Sequence, residues 1–223
     1  MSSCAKLNLV RLPYYFSSLL KLFLNSKITF RKNTIRLKKH DLNFKIKTIL
    51  DLLILKEVVL DEEYENGTVK INSKDRIIVD IGAGFGDFSI LTAKRFPEAK
   101  VFAFEPNSSY FSLLQENINQ NRVKNVMAFK KAIISLDELF RLFNCGKIDF
   151  LKFDCEGCEY EIINKRNSNS LAKINKVVME YHENQTKSAQ HLKETLEKAK
   201  FTVWVKPRKD VSGIGLLYAL NKS

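Results

Sequence analysis

From Asp75 onward, short apolar runs alternate with segments whose apolar residues recur every three to four positions, the signature of strands alternating with helices. Arg76–Ile81, Ala99–Phe104, Val123–Phe129, Ile148–Phe153 and Val177–Tyr181 read as strands. Between them, Phe88–Phe96 reads as a helix, as do Ser108–Asn121 capped by Asn107 or Ser108, a segment capped by Ser135 that runs through Phe143, and a further helix before Val177. Gln185–Lys200 is an amphipathic helix. Phe201–Val205 and Ile214–Leu220 then follow one another with only a Gly- and Pro-containing turn between them. Five strand–helix repeats predict an α/β fold, a doubly wound, mostly parallel sheet closed by an antiparallel C-terminal edge pair. Ligands of such sheets bind at the carboxyl ends of the strands.

The first part of the chain has a different pattern. Leu12, Tyr15, Phe16, Leu19, Leu20 and Phe23 share one helical face, with Ser17, Ser18, Lys21 and Asn25 opposite. Residues 27–39 alternate as a hairpin turning at Lys32–Asn33, and residues 44–60 read as a mostly buried helix. The acidic, turn-rich stretch Asp61–Asn72, with Asn66–Gly67 inside it, suggests a boundary, so residues 1–74 are expected to form a basic extension to a domain of residues 75–223.

Composition and charge narrow the classes. With 223 residues and 45% apolar side chains the chain can bury a core, which excludes wholesale disorder. Four cysteines do not make a disulfide scaffold in a chain this long. The apolar run Leu12–Leu24 is interrupted by Lys21 and is shorter than the ~20 residues of a membrane span; no secretory cleavage signature follows it, so a cytoplasmic location is expected. The net charge of +12 is concentrated at one end, because nine Lys and Arg and no acid fall within residues 1–40. Such an arm can be a solvated packing helix, an in-plane contact of residues 11–40 with an anionic membrane or lipid-linked substrate, or an arm on RNA phosphates, the last ranked lowest.

The chemistry gathers at strand ends. Asp80-Ile81-Gly82-Ala83-Gly84-Phe85-Gly86 follows the first strand directly. Counted from Gly82, the sixth position is Asp87, so this is not the G-x-G-x-x-G dinucleotide fingerprint, and no Gly-Lys-Ser/Thr makes it a P-loop. Acids flanking a glycine turn suit a cationic ligand carrying amino and carboxylate groups better than a pyrophosphate. Glu105 closes the second strand in Phe104-Glu105-Pro106-Asn107, about 20 residues further on, where a carboxylate accepts from ribose hydroxyls. The fourth strand ends in Asp154-Cys155-Glu156-Gly157-Cys158-Glu159, and the fifth in Glu180-Tyr181-His182. Cys155 and Cys158 supply only two ligands where structural zinc needs four, so they are expected to be core-filling thiols, with no metal bound.

These stretches resemble the FkbM-type branch of the class I S-adenosylmethionine-dependent methyltransferases. Asp80–Gly86 resembles the family's first motif, Phe104-Glu105-Pro106 its ribose-binding strand end, and Ser135-Leu136-Asp137-Glu138-Leu139 its Leu-Asp segment. Ile148–Glu159 is similar to its most specific stretch, and Val177-Val178-Met179-Glu180 to its fifth strand. The resemblance covers roughly half of the chain, Ile77 to Glu183. It implies S-adenosylmethionine as cofactor, held by Asp80, Gly82, Ala83, Gly84, Phe85, Gly86, Glu105, Pro106, Asn107, Ala132 and Asp154. It implies methyl transfer to a hydroxyl of a sugar, glycan or related small molecule, with Asp154 as first candidate base and Glu156, Glu180 and His182 behind it; RNA methylation using the basic arm is the alternative. Family members carry extra residues where Ala132 and Ser135 are nearly adjacent here, so the acceptor is not carried over with the motifs.

Overall fold

The computed structural model describes residues 28–31, 33–65, 69–143, 146–164, 168–208 and 211–222. The expected amphipathic helix over Leu12–Phe23 and the Asn66–Gly67 turn lie outside the described residues. Three short strands come first: β1 (Ile28–Arg31), β2 (Thr34–Leu37) and β3 (Leu42–Lys45), joined as an antiparallel sheet in that order. Arg31 pairs with Thr34 and Ile28 with Leu37, so β1 and β2 form the antiparallel pair that the alternation predicts.

The helix expected over 44–60 is corrected at its N-terminal end and runs to Leu60 as expected. Phe44 and Lys45 belong to β3, and helix α1 covers only Ile49–Leu55, continued by a π-helical turn, Lys56–Leu60. Thr48 and Asp51 start the helix with a reciprocal capping box, which satisfies two backbone donors that would otherwise be unpaired. The open edge of β3 is satisfied by helix α3 (Ser108–Asn121): Asn117 Oδ1 accepts from Lys45 N and Asn121 Oδ1 from Asn43 N, both at 2.7 Å.

The main sheet contains β4 (Ile77–Ile81), β5 (Lys100–Phe104), β6 (Val126–Phe129), β7 (Ile148–Phe153), β8 (Ile174–His182), β9 (Phe201–Pro207) and β10 (Ile214–Asn221). Its order is β6-β5-β4-β7-β8-β10-β9. The first five strands are parallel, and β10 runs antiparallel between β8 and β9, the edge pair that the sequence predicts. Helices α2 (Asp87–Arg95), α3, α4 (Leu136–Phe143), the short α5 (Glu159–Ile162) and α6 (Ser168–Leu171), and α7 (Ala189–Lys198) connect them. Every residue of β7 is buried, as in a central strand covered on both faces.

Alternate residues of each strand feed two cores. Val79, Leu151 and Val177 pack on one face with Leu136, Leu192 and Leu196. Ile78, Phe150 and Val178 pack on the other with Phe88, but also with Ile35, Phe44, Leu52, Val59 and Tyr64. Among the described residues, the segment ahead of the sheet therefore covers part of that face and shares its core. No described helix is long and apolar enough to cross a membrane.

Candidate active site

The turn after β4 is shaped by two glycines that tolerate no side chain. Gly82 has φ +79°, and a Cβ there would lie 1.8 Å from the carbonyl oxygen of Asp154, so the turn and the tip of β7 touch through backbone alone. Gly86, at φ +93°, starts α2, and a Cβ would meet Leu114 Cδ1 at 2.6 Å. Gly82 N and Ala83 N both donate to Phe104 O, tying the turn to β5. Gly84 N donates to Glu105 Oε2 at 2.9 Å, while Asn107 N donates to Glu105 Oε1 at 2.8 Å. Both carboxylate oxygens are thus fixed by backbone donors, and each retains a free lone pair. Burial raises the Glu105 pKa, against the pull of those two hydrogen bonds. Asn107 itself caps α3.

A cleft of about 240 Å³ opens at this edge, lined by Gly82, Glu105, Pro106, Ala132, Asp154 and Glu156 over an apolar floor of Ile81, Phe104 and Ile133. A larger recess of about 710 Å³ lies elsewhere, beside Asp41, Lys94, Asn121 and Lys124, away from the glycine turn and its acids. The cleft brings together residues from the ends of four strands, β4, β5, β6 and β7. Phe85 and Gly86 stand behind it: Phe85 is buried edge-on against Phe44, and its carbonyl oxygen accepts from Asn117 Nδ2.

Asp80 sits inside the sheet below the glycine turn. It is fully buried, with Oδ1 accepting from Lys152 Nζ at 2.8 Å and Oδ2 from Ser89 Oγ at 2.6 Å. The pairing has a simple cause: a carboxylate in the middle of a sheet is neutralised by the nearest cation, and Lys152 on the adjacent strand is in register with it. Lys152 Nζ also donates to Gly82 O at 3.1 Å and lies over the rings of Tyr64 and Phe88. Asp80 therefore supports the glycine turn through Lys152 from below.

Asp154 stands at the cleft wall, its Oδ2 accepting from Tyr64 OH at 2.8 Å and lying 4.0 Å from Lys152 Nζ. Burial, then the charge of Asp154, pushes the Tyr64 hydroxyl well above its ordinary pKa, so it remains a donor. Glu156 is half exposed at the rim, with Oε2 3.7 Å from His182 Nε2. Burial opposes the charged form of His182, but the neighbouring Glu159, Glu180 and Glu156 carboxylates outweigh it and raise its pKa to about 9. Glu180 is set back from the cleft, with its carboxylate 3.3 Å from Arg208 Nε. Burial and the charge of Asp154 push its pKa up to about 7.

Cys155 and Cys158 are joined as a disulfide, which corrects the expectation of two free, core-filling thiols. The turn between them brings the two Cα atoms to 5.5 Å, within bonding range. Three further residues complete the surroundings without having been singled out from the sequence: Tyr64, Lys152 and Arg208. Lys152 alone of these carried a visible signal, as the only cation within an otherwise apolar strand with a single acid.

Residues 128–203, from β6 into β9, match the family model of the methyltransferase FkbM domain. That stretch, about a third of the chain, is similar to the methyltransferase FkbM domain. Residues 55–138, which span the π turn and the glycine turn ahead of the FkbM core, also match the TRM5/TYW2 methyltransferase domain. Among curated proteins, Methyltransferase 1 of Beauveria bassiana is 33% identical over 75 residues, which are 34% of this chain and 29% of that protein. Methyltransferase sdnD of Sordaria araneosa is 35% identical over 68 residues, 30% of this chain and 25% of that protein. The chain thus aligns with less than a third of the length of either relative. Among solved structures, the FkbM methyltransferase of Methylobacillus flagellatus superposes with a TM-score of 0.55 at 15% identity, covering 71% of this chain and 49% of that one. Precorrin-6y C5,15-methyltransferase of Geobacter metallireducens superposes with a TM-score of 0.52 at 20% identity, covering 70% of this chain and 84% of that one. The chain therefore shares with these methyltransferases a mixed α/β fold, a mostly parallel central sheet closed by antiparallel C-terminal strands.

Proposed function

We propose that the chain is an S-adenosylmethionine-dependent methyltransferase whose acceptor is a hydroxyl of a sugar, glycan or related small molecule. The observation that carries this reading is the Glu105 carboxylate, clamped by Gly84 N and Asn107 N and facing, across one cleft, the acids Asp154 and Glu156. The donor set suits the cofactor. Glu105 has lone pairs for two ribose hydroxyls, Phe104, Pro106 and Ile133 offer apolar surface to a flat base, and the acid rim suits a cation. When bound, the cofactor supplies a methyl group on a positively charged sulfur. In this reading Gly82, Ala83 and Gly84 present backbone to it, and Asp80, with Lys152, keeps that backbone in place.

Asp154 is the residue placed to take the proton of an incoming hydroxyl. Tyr64 OH occupies one of its oxygens and fixes the orientation of the carboxylate, leaving the second oxygen for the acceptor. Glu156 and His182 stand beside it as hydrogen-bonding partners for further hydroxyls, which favours hydroxyl-rich acceptors. Glu180, held by Arg208, stabilises this edge from behind the cleft.

The test is calorimetry with S-adenosylmethionine combined with transfer of labelled methyl into fractionated host extract. Glu105→Ala is expected to weaken cofactor binding by about tenfold or more, the loss of hydrogen bonds to a charged group. Asp154→Ala is expected to lower turnover by about 10²–10⁴-fold, the usual range for general-base removal, with cofactor binding largely kept. Unchanged binding in Glu105→Ala refutes the cofactor site. Label recovered in RNA, with RNA affinity falling steeply with salt, reassigns the acceptor to nucleic acid and the basic arm to phosphate contact.

A further inference from the structure

Cys155 and Cys158 flank Glu156 and Gly157, whose φ angles of 57° and 107° fold the connection between β7 and α5 into a tight turn. Glu159 follows, completely buried, with Oε2 3.7 Å from Cys155 Sγ. The two sulfurs and a Glu159 oxygen lie within 4.8 Å of one another. The end of β8 brings His182 to the same place, its Nδ1 3.5 Å from Glu159 Oε1. That nitrogen is buried and makes no hydrogen bond. Facing the buried Glu159 carboxylate without a hydrogen bond, it is positioned to exchange its proton for a metal ion.

The geometry points to a zinc site that forms when the disulfide is reduced, with Cys155, Cys158, Glu159 and His182 Nδ1 as its four ligands. Two thiolates, an imidazole and a carboxylate are a donor set suited to zinc. Tetrahedral zinc, with bonds of about 2.0–2.3 Å, spaces its ligand atoms roughly 3.5 Å apart. Cys155 Sγ stands 3.7 Å from Glu159 Oε2 and His182 Nδ1 3.5 Å from Glu159 Oε1, so small shifts of the Glu159 carboxylate and the His182 ring would bring the set to that spacing. The surroundings of the site fit as well. With Nδ1 on the metal, His182 Nε2 carries the proton and faces Glu156 Oε2 at 3.7 Å, the carboxylate–histidine–zinc arrangement that orients such ligands. Glu159 is held in place because it accepts from Gly157 N and His182 N.

The two states exclude each other. A dithiol reductant breaks the Sγ–Sγ bond by exchange: its own sulfurs become joined as a disulfide, and its two electrons and two protons end on Cys155 and Cys158. Zn²⁺ then displaces both thiol protons and the proton on His182 Nδ1 to solvent. The ligands stand beside the cleft, with Cys155 and Cys158 in its wall, so the metal would lock the turn that presents Glu156. The site does not depend on the methyl-transfer reading.

The experiment uses the full chain, reduced under argon with a phosphine, desalted, and titrated with Zn²⁺ against a chromophoric chelator, with Co²⁺ as a spectroscopic probe. Reduced protein is expected to bind one Zn²⁺ per chain, and Co²⁺ to show thiolate charge-transfer absorption with tetrahedral visible bands. The oxidised protein is expected to take up none, a comparison that needs no variant. The double variant Cys155→Ser/Cys158→Ser is expected to lose the site, His182→Ala to weaken it by about tenfold or more, and Glu156→Gln by about tenfold, as loss of an outer-shell partner does. Reduced protein that binds no zinc, binds Co²⁺ without thiolate bands, or binds equally well as His182→Ala would overturn the assignment.

Discussion

Lys152 and Arg208 are both cations held under the carboxyl edge of the sheet, and they are neutralised in different ways. Lys152 is almost wholly buried on the central strand, donates to Asp80 and Gly82 O, and lies against the faces of Tyr64 and Phe88. Arg208 follows the edge strand β9 and meets three acids, Glu57 and Glu63 from the segment ahead of the sheet and Glu180 from β8. The first ion pair is a property of the sheet itself, fixed by strand register. The second is a clamp between residues about 150 positions apart. The difference teaches that the sheet can carry its own support for the glycine turn, while the β8–β9 side of the same edge is assembled by recruiting a preceding segment. Tyr64 belongs to that same segment but serves the Lys152 centre, with its hydroxyl on Asp154 and its ring under Lys152.

The strongest way to break this contrast is to remove Lys152. In Lys152→Met, Asp80 stays buried with Ser89 as its remaining hydrogen-bond donor, near the acids Asp87 and Asp154. Breaking a buried pair by removing one partner costs about 3–5 kcal/mol. In a chain of this size that lowers the melting temperature by roughly 10 °C. A change of under about 3 °C by thermal unfolding would mean that Asp80 is not dependent on its cation. Arg208→Met is expected to cost less, about 2 kcal/mol, because Glu57 and Glu63 retain some access to water. A double-mutant cycle of Arg208→Met with Glu57→Gln sharpens the point: coupling of about 1 kcal/mol identifies a clamp, and zero coupling leaves Arg208 a local partner of Glu180.

The same contrast explains what was legible in the sequence. The sheet, its order of elements and the antiparallel closing pair were readable because apolar runs of strand length alternate with helical periods, and the glycine turn with Glu105 was readable because local spacing carries the chemistry. Asp80 was visible as a residue, but its partner was not, since Lys152 is 72 residues away and only register brings them together. β3 was hidden because four residues alternate too briefly to outweigh the helical run that begins four positions after it. Its edge is completed by Asn117 and Asn121, which no local pattern announces. Tyr64, Glu57 and Glu63 sit at or beside a stretch that reads as a boundary, so nothing local links them to Asp154 or Arg208. Cys155 and Cys158 were noted as a pair, but the ligands that complete the set around them arrive from α5 and from the end of β8.

A smaller and more specific effect separates the two centres by pH. Asp87 opens α2 beside the Lys152 pair; burial first, then the charge of Asp80, outweighs the attraction of Lys152 and raises its pKa to about 7. An unfolded chain releases that proton near pH 4, so between about pH 4 and 7 the native state binds more protons than the unfolded one, and stability falls as pH rises through this window. Glu180, at about 7, adds a contribution of the same sign from the Arg208 side. Asp87→Asn cannot titrate and is expected to flatten the fall by up to ~1 kcal/mol per pH unit while leaving the Glu180 part. Urea unfolding at pH 5, 6, 7 and 8 checks it. Parallel wild-type and variant profiles would show that Asp87 is already ionised in the folded protein, and that Lys152 balances two carboxylates where Arg208 balances three.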